Sequence, residues 1–243
     1  IYAMFDDRDE VRAVMEFFTT AESLKTWLAS GGALSPHNDV DLDWYGDDVE
    51  RGIALVKDVA TTGNSYAYIS LGDLLIDSAV GKSDGAGALA AYQKAVELRN
   101  FDGLVRIGEL YLDPRFRKPD AKAAFDYFNK ASEAGSTTAN LRMAQMLLSG
   151  QGVARDSTAA LELAKPLAAE GNVQALLLVG DIYSDPAAGT VDGPSAIKAY
   201  EQAAQAGSSD ALLRLGDMYR DGKGVPVDGQ MAVQYYLKAG GAQ

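Results

Sequence analysis

The chain has 243 residues, 47% of them hydrophobic, enough to bury a substantial core in one or two compact domains or one elongated one. With 34 Asp and Glu against 22 Lys and Arg, its formal net charge is -12. That balance disfavours sequence-independent binding to nucleic acid or anionic membrane, since both need Lys and Arg to displace counterions from phosphate.

Cysteine is absent, which excludes disulfides, thiolate metal sites and a cysteine nucleophile. His37 is the single histidine, so multi-histidine zinc sites are excluded too, and beside Pro36 it reads as a polar loop residue. No apolar run approaches the roughly 20 residues of a membrane-spanning helix, so direct membrane insertion is not expected. The first residue is Ile1 rather than an initiator Met, which leads us to expect a longer precursor from which any targeting segment has been removed.

In chain order, residues 1–61 read as an N-terminal helical cap. "VRAVMEFF" places Val11, Val14, Met15 and Phe18 on one helical face, and "SLKTWLA" adds Leu24, Trp27 and Leu28. Between these helices and the rest lies "DVDLDWYGDDVE", with Asp39, Asp41, Asp43, Asp47 and Glu50 at positions one, three, five, nine and twelve. This is the ligand spacing of an EF-hand calcium loop. Trp44 stands at position six, where the sharp bend of such a loop needs Gly, and "GGALSPHN" separates Asp39 from any preceding helix. A calcium ion here is the only cofactor the sequence suggests. The following "DDVERGIALVKDVATTG" reads as a lone second helix of a repeat, with Asp48 as its N-cap.

From residue 62 onward the chain repeats every 36 residues without insertion, in five copies at 62–98, 99–134, 135–170, 171–206 and 207–243. Ala211 recurs as Ala175, Ala139, Gly103 and Ala67. Gly216 recurs as Gly180, Ala144, Gly108 and Gly72. Asp228 recurs as Asp192, Asp156, Asp120 and Asp84, followed four residues later by an alanine in every copy. Tyr236 then corresponds to Tyr200, Ala164, Phe128 and Tyr92. Spacings of three and four predict two short antiparallel helices per repeat, the first over about Ser209 to Arg220 in the last copy, the second capped by the repeated Asp. The repeated Gly is expected to admit a neighbouring helix at close range.

The order of these landmarks, together with the Gly-x-Gly-Val turn in "LGDMYRDGKGVPVDGQMAVQYYLKAG", resembles the Sel-one-like repeat, a branch of the tetratricopeptide-like solenoids. The second and fourth copies carry "LDPRFRKPD" and "SDPAAGTVD" in place of that turn. The resemblance implies an all-α, right-handed α-α superhelical solenoid with a concave groove lined by the first helix of each repeat. It also implies that the residue after the repeated Gly faces that groove: Asp73, Glu109, Gln145, Asp181 and Asp217. Ile76, Leu112 and Leu148 lie three residues further on and form an apolar shelf. An acidic stripe beside an apolar shelf suits a partner segment carrying Lys or Arg among apolar residues.

No convergent set of nucleophile, base and oxyanion donors is legible, and Lys223 in "DGKGVPVDG" does not stand where a phosphate loop needs it, so an enzyme is not expected. The resemblance implies a non-catalytic protein-protein interaction scaffold, in a bacterial envelope assembly such as exopolysaccharide secretion and hence in the periplasm or another extracytoplasmic compartment. The alternative is a regulatory protein that binds a membrane receptor and is tuned by calcium.

Overall fold

The computed structural model describes residues 52–54, 56–77, 83–189 and 191–241. His37, the N-terminal helical faces and the candidate calcium ligands Asp39, Asp41, Asp43, Asp47 and Glu50 lie outside the described residues. Among the described residues all regular structure is helical, and no helix is long and apolar enough to cross a membrane.

The chain divides into two compact units, Ile1–Asp120 and Ala121–Gln243. The first contains helical residues 56–61, then α1 (Ser65–Ile76), α2 (Gly85–Glu97) and α3 (Asp102–Leu112). The second contains α4 (Ala121–Glu133), α5 (Thr137–Ser149), α6 (Ser157–Ala169), α7 (Val173–Ser184), a 3-10 turn at Pro186–Ala188, α8 (Gly193–Gln205), α9 (Ser209–Asp221) and α10 (Gly229–Ala239). Within each unit consecutive helices pack on one another, and first helices also touch first helices, α1 on α3 and α5 on α7. This is the sequential packing of a helical-repeat solenoid.

Local chemistry sets each helix boundary. Four of the five first helices start at a small polar cap: the Asn64 side chain accepts from the N-H of Tyr66 and Ala67, Ser136 from Ala139, Asn172 from Ala175, and Ser208 from Ala211, whereas α3 starts at Phe101 without a side-chain cap. Second helices start at the repeated Asp, whose carboxylate accepts from the N-H of Gly87, Ala159, Ser195 and Met231 in four copies. The same aspartates do a second job that periodicity alone does not reveal. The N-H groups of Asp84, Asp120, Asp156, Asp192 and Asp228 donate to the carbonyls of Leu75, Tyr111, Leu147, Tyr183 and Tyr219 at 2.6–3.0 Å, closing the turn between the two helices in every copy.

The turn sequences differ, yet they fill one seat. Gly152 and Gly224 lie so close to the start of a preceding second helix that an added Cβ would meet the Ala121 carbonyl carbon at 2.4 Å or the Gly193 Cα at 2.7 Å. In the first unit Phe116 occupies that position and packs on Gly85, where a Cβ would stand 2.6 Å from the Phe116 ring. A ring against glycine thus replaces glycine against backbone, which is why "LDPRFRKPD" leaves the helices intact.

The core is made of small residues that let helices approach. Ala88, Ala124, Ala160, Ala196 and Ala232 are all buried, as are Ala95, Ala131 and Ala203. In the second unit α9 places Ala211, Leu215 and Met218 against Leu176 and Leu177 of α7 and Ala196, Tyr200 and Ala203 of α8. In the first, Val56 packs with Leu71, Leu74 and Ala91.

Candidate functional site

The residues after the repeated Gly lie on their first helices as expected, half-buried rather than freely solvated. What they touch is specific. Asp73 Oδ1 accepts the Tyr92 hydroxyl at 2.8 Å, while its Oδ2 lies 3.3 Å from an Arg106 guanidinium nitrogen on the next first helix. Asp181 Oδ1 accepts the Tyr200 hydroxyl at 2.7 Å and pairs with Arg214 of α9. Asp217 accepts the Tyr236 hydroxyl at 2.7 Å, and its arginine is Arg220 of the same helix, at 2.8 Å. Each carboxylate therefore joins the two helices of its own repeat through a tyrosine and also pairs with an arginine, through its second oxygen at Asp73 and through the same oxygen at Asp181 and Asp217.

The repeated glycine belongs to the same node. A Cβ on Gly72, Gly180 or Gly216 would stand 2.2, 2.3 or 2.4 Å from Cε1 of Tyr92, Tyr200 or Tyr236. The close approach that the sequence predicts is thus the edge of the tyrosine ring from the second helix of the same repeat, rather than a neighbouring backbone.

The four positions vary together along the chain. The Gly, Tyr, Asp, Arg set of Gly72, Tyr92, Asp73 and Arg106 recurs as Gly180, Tyr200, Asp181 and Arg214. The third repeat has Ala144, Ala164, Gln145 and Leu178 at those positions: where the ring is lost the glycine gains a methyl, and where the carboxylate is lost the arginine becomes leucine. The second has Gly108, Phe128, Glu109 and Arg142. In formal charge Asp73, Glu109, Asp181 and Asp217 are cancelled by Arg106, Arg142, Arg214 and Arg220, so the acidic stripe read from the sequence is one half of a balanced set. Column-by-column comparison of the repeats carries this signal, although reading each column singly does not.

Ile76, Leu112 and Leu148 are half-buried at the ends of α1, α3 and α5, next to these rungs, and Ser184 Oγ lies 3.1 Å from the Tyr200 hydroxyl. No group of three or more acidic or histidine side chains among the described residues is placed to hold a metal ion.

Electrostatics follow from the burial. The Tyr92 hydroxyl is pushed far above its usual pKa by burial and then by the facing Asp73 carboxylate, and Tyr200 is raised by burial and by Asp181. Burial raises Asp73 as well, against the opposing pull of Arg106 and of the Tyr92 hydrogen bond. A phenol held protonated more tightly in the folded chain contributes stability that is complete below the unfolded pKa of about 10 and is lost as pH rises past it. The thermal midpoint is therefore expected to stay level between about pH 8 and 9.5 and to fall steeply above about pH 10. A Tyr92→Phe/Tyr200→Phe variant should start lower and fall less steeply. An equally steep fall in that variant would assign the alkaline transition to other groups.

Comparison with known proteins places this geometry. The Sel1 repeat model matches residues 102–136, 137–172, 173–208 and 209–240, more than half of the chain. The pair α1 and α2 lies outside those matches and carries the same Gly, Tyr and Asp contacts. Among solved structures the chain is similar to a protective antigen of uropathogenic Escherichia coli with an SLR fold, at 24% identity and TM-score 0.67, covering 78% of this chain and 41% of that one. The chain thus spans about two fifths of that protein's length. It is also similar to a Sel1 repeat protein from Oxalobacter formigenes, at 20% identity and TM-score 0.63 with 82% and 84% covered. An immunity protein from Pseudomonas aeruginosa matches at 18% identity and TM-score 0.50, with 88% and 81% covered. At these identities the likeness is one of fold. No curated protein matches the sequence.

Proposed function

The chain belongs to the Sel1 repeat family, whose members generally bind other proteins and are not catalysts, and from that premise we propose that it is an interaction scaffold working through the face of its first helices. The observation that carries the reading is the repeated placement of polar and apolar side chains at one position of every first helix: Asp73 with Ile76, Glu109 with Leu112, Gln145 with Leu148, then Asp181 and Asp217. The proposed occupant is a partner segment in which Lys or Arg alternates with apolar residues. Because each described Asp already shares a charge with an arginine, such a segment gains its affinity mainly from the apolar shelf and from hydrogen bonds, and salt weakens it little. The proposed setting is a bacterial envelope assembly such as exopolysaccharide secretion, in an extracytoplasmic compartment. It rests on the family resemblance alone.

Reversing the charges of Asp73, Glu109, Asp181 and Asp217 is a poor test, since a lysine at Asp73, Asp181 or Asp217 would face an arginine and abandon a tyrosine hydroxyl. A photo-cross-linking amino acid serves better, at Ile76 or Gln145 on first helices and at Asn129 or Gln202 on exposed second-helix positions. Partner adducts are expected at 76 and 145 and not at 129 and 202. Adducts confined to the second helices would defeat the reading.

A further inference from the structure

The turn between α2 and α3 departs from its counterparts in three neighbouring side chains. Arg99 has φ 64°, in the left-handed region, and it is the one non-glycine residue to do so among the described residues. The equivalent turns carry Gly63, Gly135, Gly171 and Gly207, with φ between 83° and 92°. A Cβ at that conformation crowds the following carbonyl oxygen, a cost that glycine avoids. Leu98 and Phe101 beside it are 42% and 39% exposed. The other copies have Thr62, Ala134, Glu170 and Ala206 in place of the first, and Ser65, Thr137, Val173 and Ser209 in place of the second.

Tyr66, the second residue of α1, lies on the same edge, because α1 and α2 pack as an antiparallel pair and the start of one meets the end of the other. It is 70% exposed, and its counterparts Asp102, Thr138, Gln174 and Asp210 are all polar.

Neither the arginine nor the tyrosine is used inside the fold. Among the described residues Arg106, Arg115, Arg155, Arg214 and Arg220 pair with carboxylates, Arg142 donates to Gln145, and Arg117 lies 3.9 Å over the Tyr111 ring. Arg99 has no such partner, although Asp102 is three residues away. Tyr92, Tyr200 and Tyr236 donate to aspartates, Tyr111, Tyr127 and Tyr183 lie under cations, Tyr219 stacks on Tyr235, and Tyr68 packs on the Val56 cluster. Tyr66 makes none of these contacts among the described residues.

The two unused side chains also fall in one register. Asp73 reaches Arg106 and Asp181 reaches Arg214, each across 33 residues, and the same step from Tyr66 leads to Arg99. A tyrosine and an arginine at matched positions of adjoining repeats, with two exposed apolar side chains beside them, are the residue types that dominate binding energy in protein interfaces. An unpaired guanidinium is complementary to a carboxylate. At physiological ionic strength charges are screened beyond about 8 Å, so a carboxylate at the turn meets Arg99 rather than the field of the whole chain.

We propose that Tyr66 and the turn between α2 and α3 form a recognition patch for an acidic segment of a partner protein, in which an Asp or Glu pairs with Arg99 and an adjacent aromatic or large aliphatic side chain packs on Tyr66, Leu98 and Phe101. The patch is distinct from the first-helix shelf, and either reading can fail without the other.

The probe is a displayed library of random peptides selected on the full chain, with one enriched peptide then synthesised and titrated by fluorescence anisotropy. Enriched sequences are expected to carry Asp or Glu next to Phe, Trp, Tyr or Leu. Arg99→Gly and Tyr66→Ala should each weaken the peptide at least about tenfold, and Leu148→Glu on the shelf should change it less than about twofold. Arg99→Gly should also raise the thermal midpoint by about 2–4 °C by relieving the backbone, so that lost binding does not come from lost folding. Enrichment of peptides without an acid, failure to enrich any peptide, or a peptide that binds Arg99→Gly and Tyr66→Ala as tightly as the parent overturns the proposal. So does a fall in the midpoint of Arg99→Gly, which would make Arg99 a structural residue of the turn.

Discussion

Gly180→Ala is expected to destabilise the chain by about 2–3 kcal/mol, although alanine favours an isolated helix by about 1 kcal/mol over glycine. The reason is the Tyr200 ring, whose Cε1 would stand 2.3 Å from the new methyl group. That ring is 2% exposed and held at its far end by Asp181 and Ser184, so it has no vacant direction in which to yield. Tyr200→Ala alone should cost about 3–5 kcal/mol through the cavity it leaves. The double variant reproduces the Ala144 and Ala164 pair of the third repeat, and its methyl group no longer meets a ring. Denaturant titration of the four proteins should therefore give a coupling of about 1–3 kcal/mol in favour of the double variant. Simple additivity of the two losses would show that the glycine and the tyrosine do not share one packing requirement.

That coupling also explains what the sequence made legible. The period, the two helices per repeat and the capping role of Asp84, Asp156, Asp192 and Asp228 follow from local rules, because capping and helical spacing act within a few residues. The partners of Asp73 and Asp181 lie 19 and 33 residues away, and those distances have meaning only once the helices are stacked. Charge composition reads an Asp as an exposed acid; packing brings it a phenol and a guanidinium. Phe116 teaches the same lesson. As a residue it looks like a broken turn motif, but against Gly85 it fills the seat that Gly152 and Gly224 fill elsewhere. The acidic loop at Asp39 to Glu50 lies outside the described residues, so calcium there is still a proposal from spacing, to be tested by calorimetric titration.

Asp181→Ala should cost about 1–3 kcal/mol, because it removes the acceptor of a buried phenol and leaves Arg214 without its carboxylate. The guanidinium is partly solvated, which keeps the loss well below that of a fully buried pair. Replacing both partners, as Asp181→Gln with Arg214→Leu, installs the Gln145 and Leu178 pair of the third repeat and should recover about half of the loss. The comparison then separates the architecture of the rung from recognition of a partner. Asp and Arg carry opposite formal charges, and so the exchanged pair leaves the net charge of the face as it was. If the scaffold binds chiefly through Ile76, Leu112 and Leu148, affinity for a cross-linked and identified partner should change less than about threefold in the double variant. Leu148→Glu, which puts a charge on the shelf itself, should abolish capture. A double variant that folds well yet loses the partner would instead make Asp181 itself the recognised group, and the arginine beside it a means of holding that carboxylate in place.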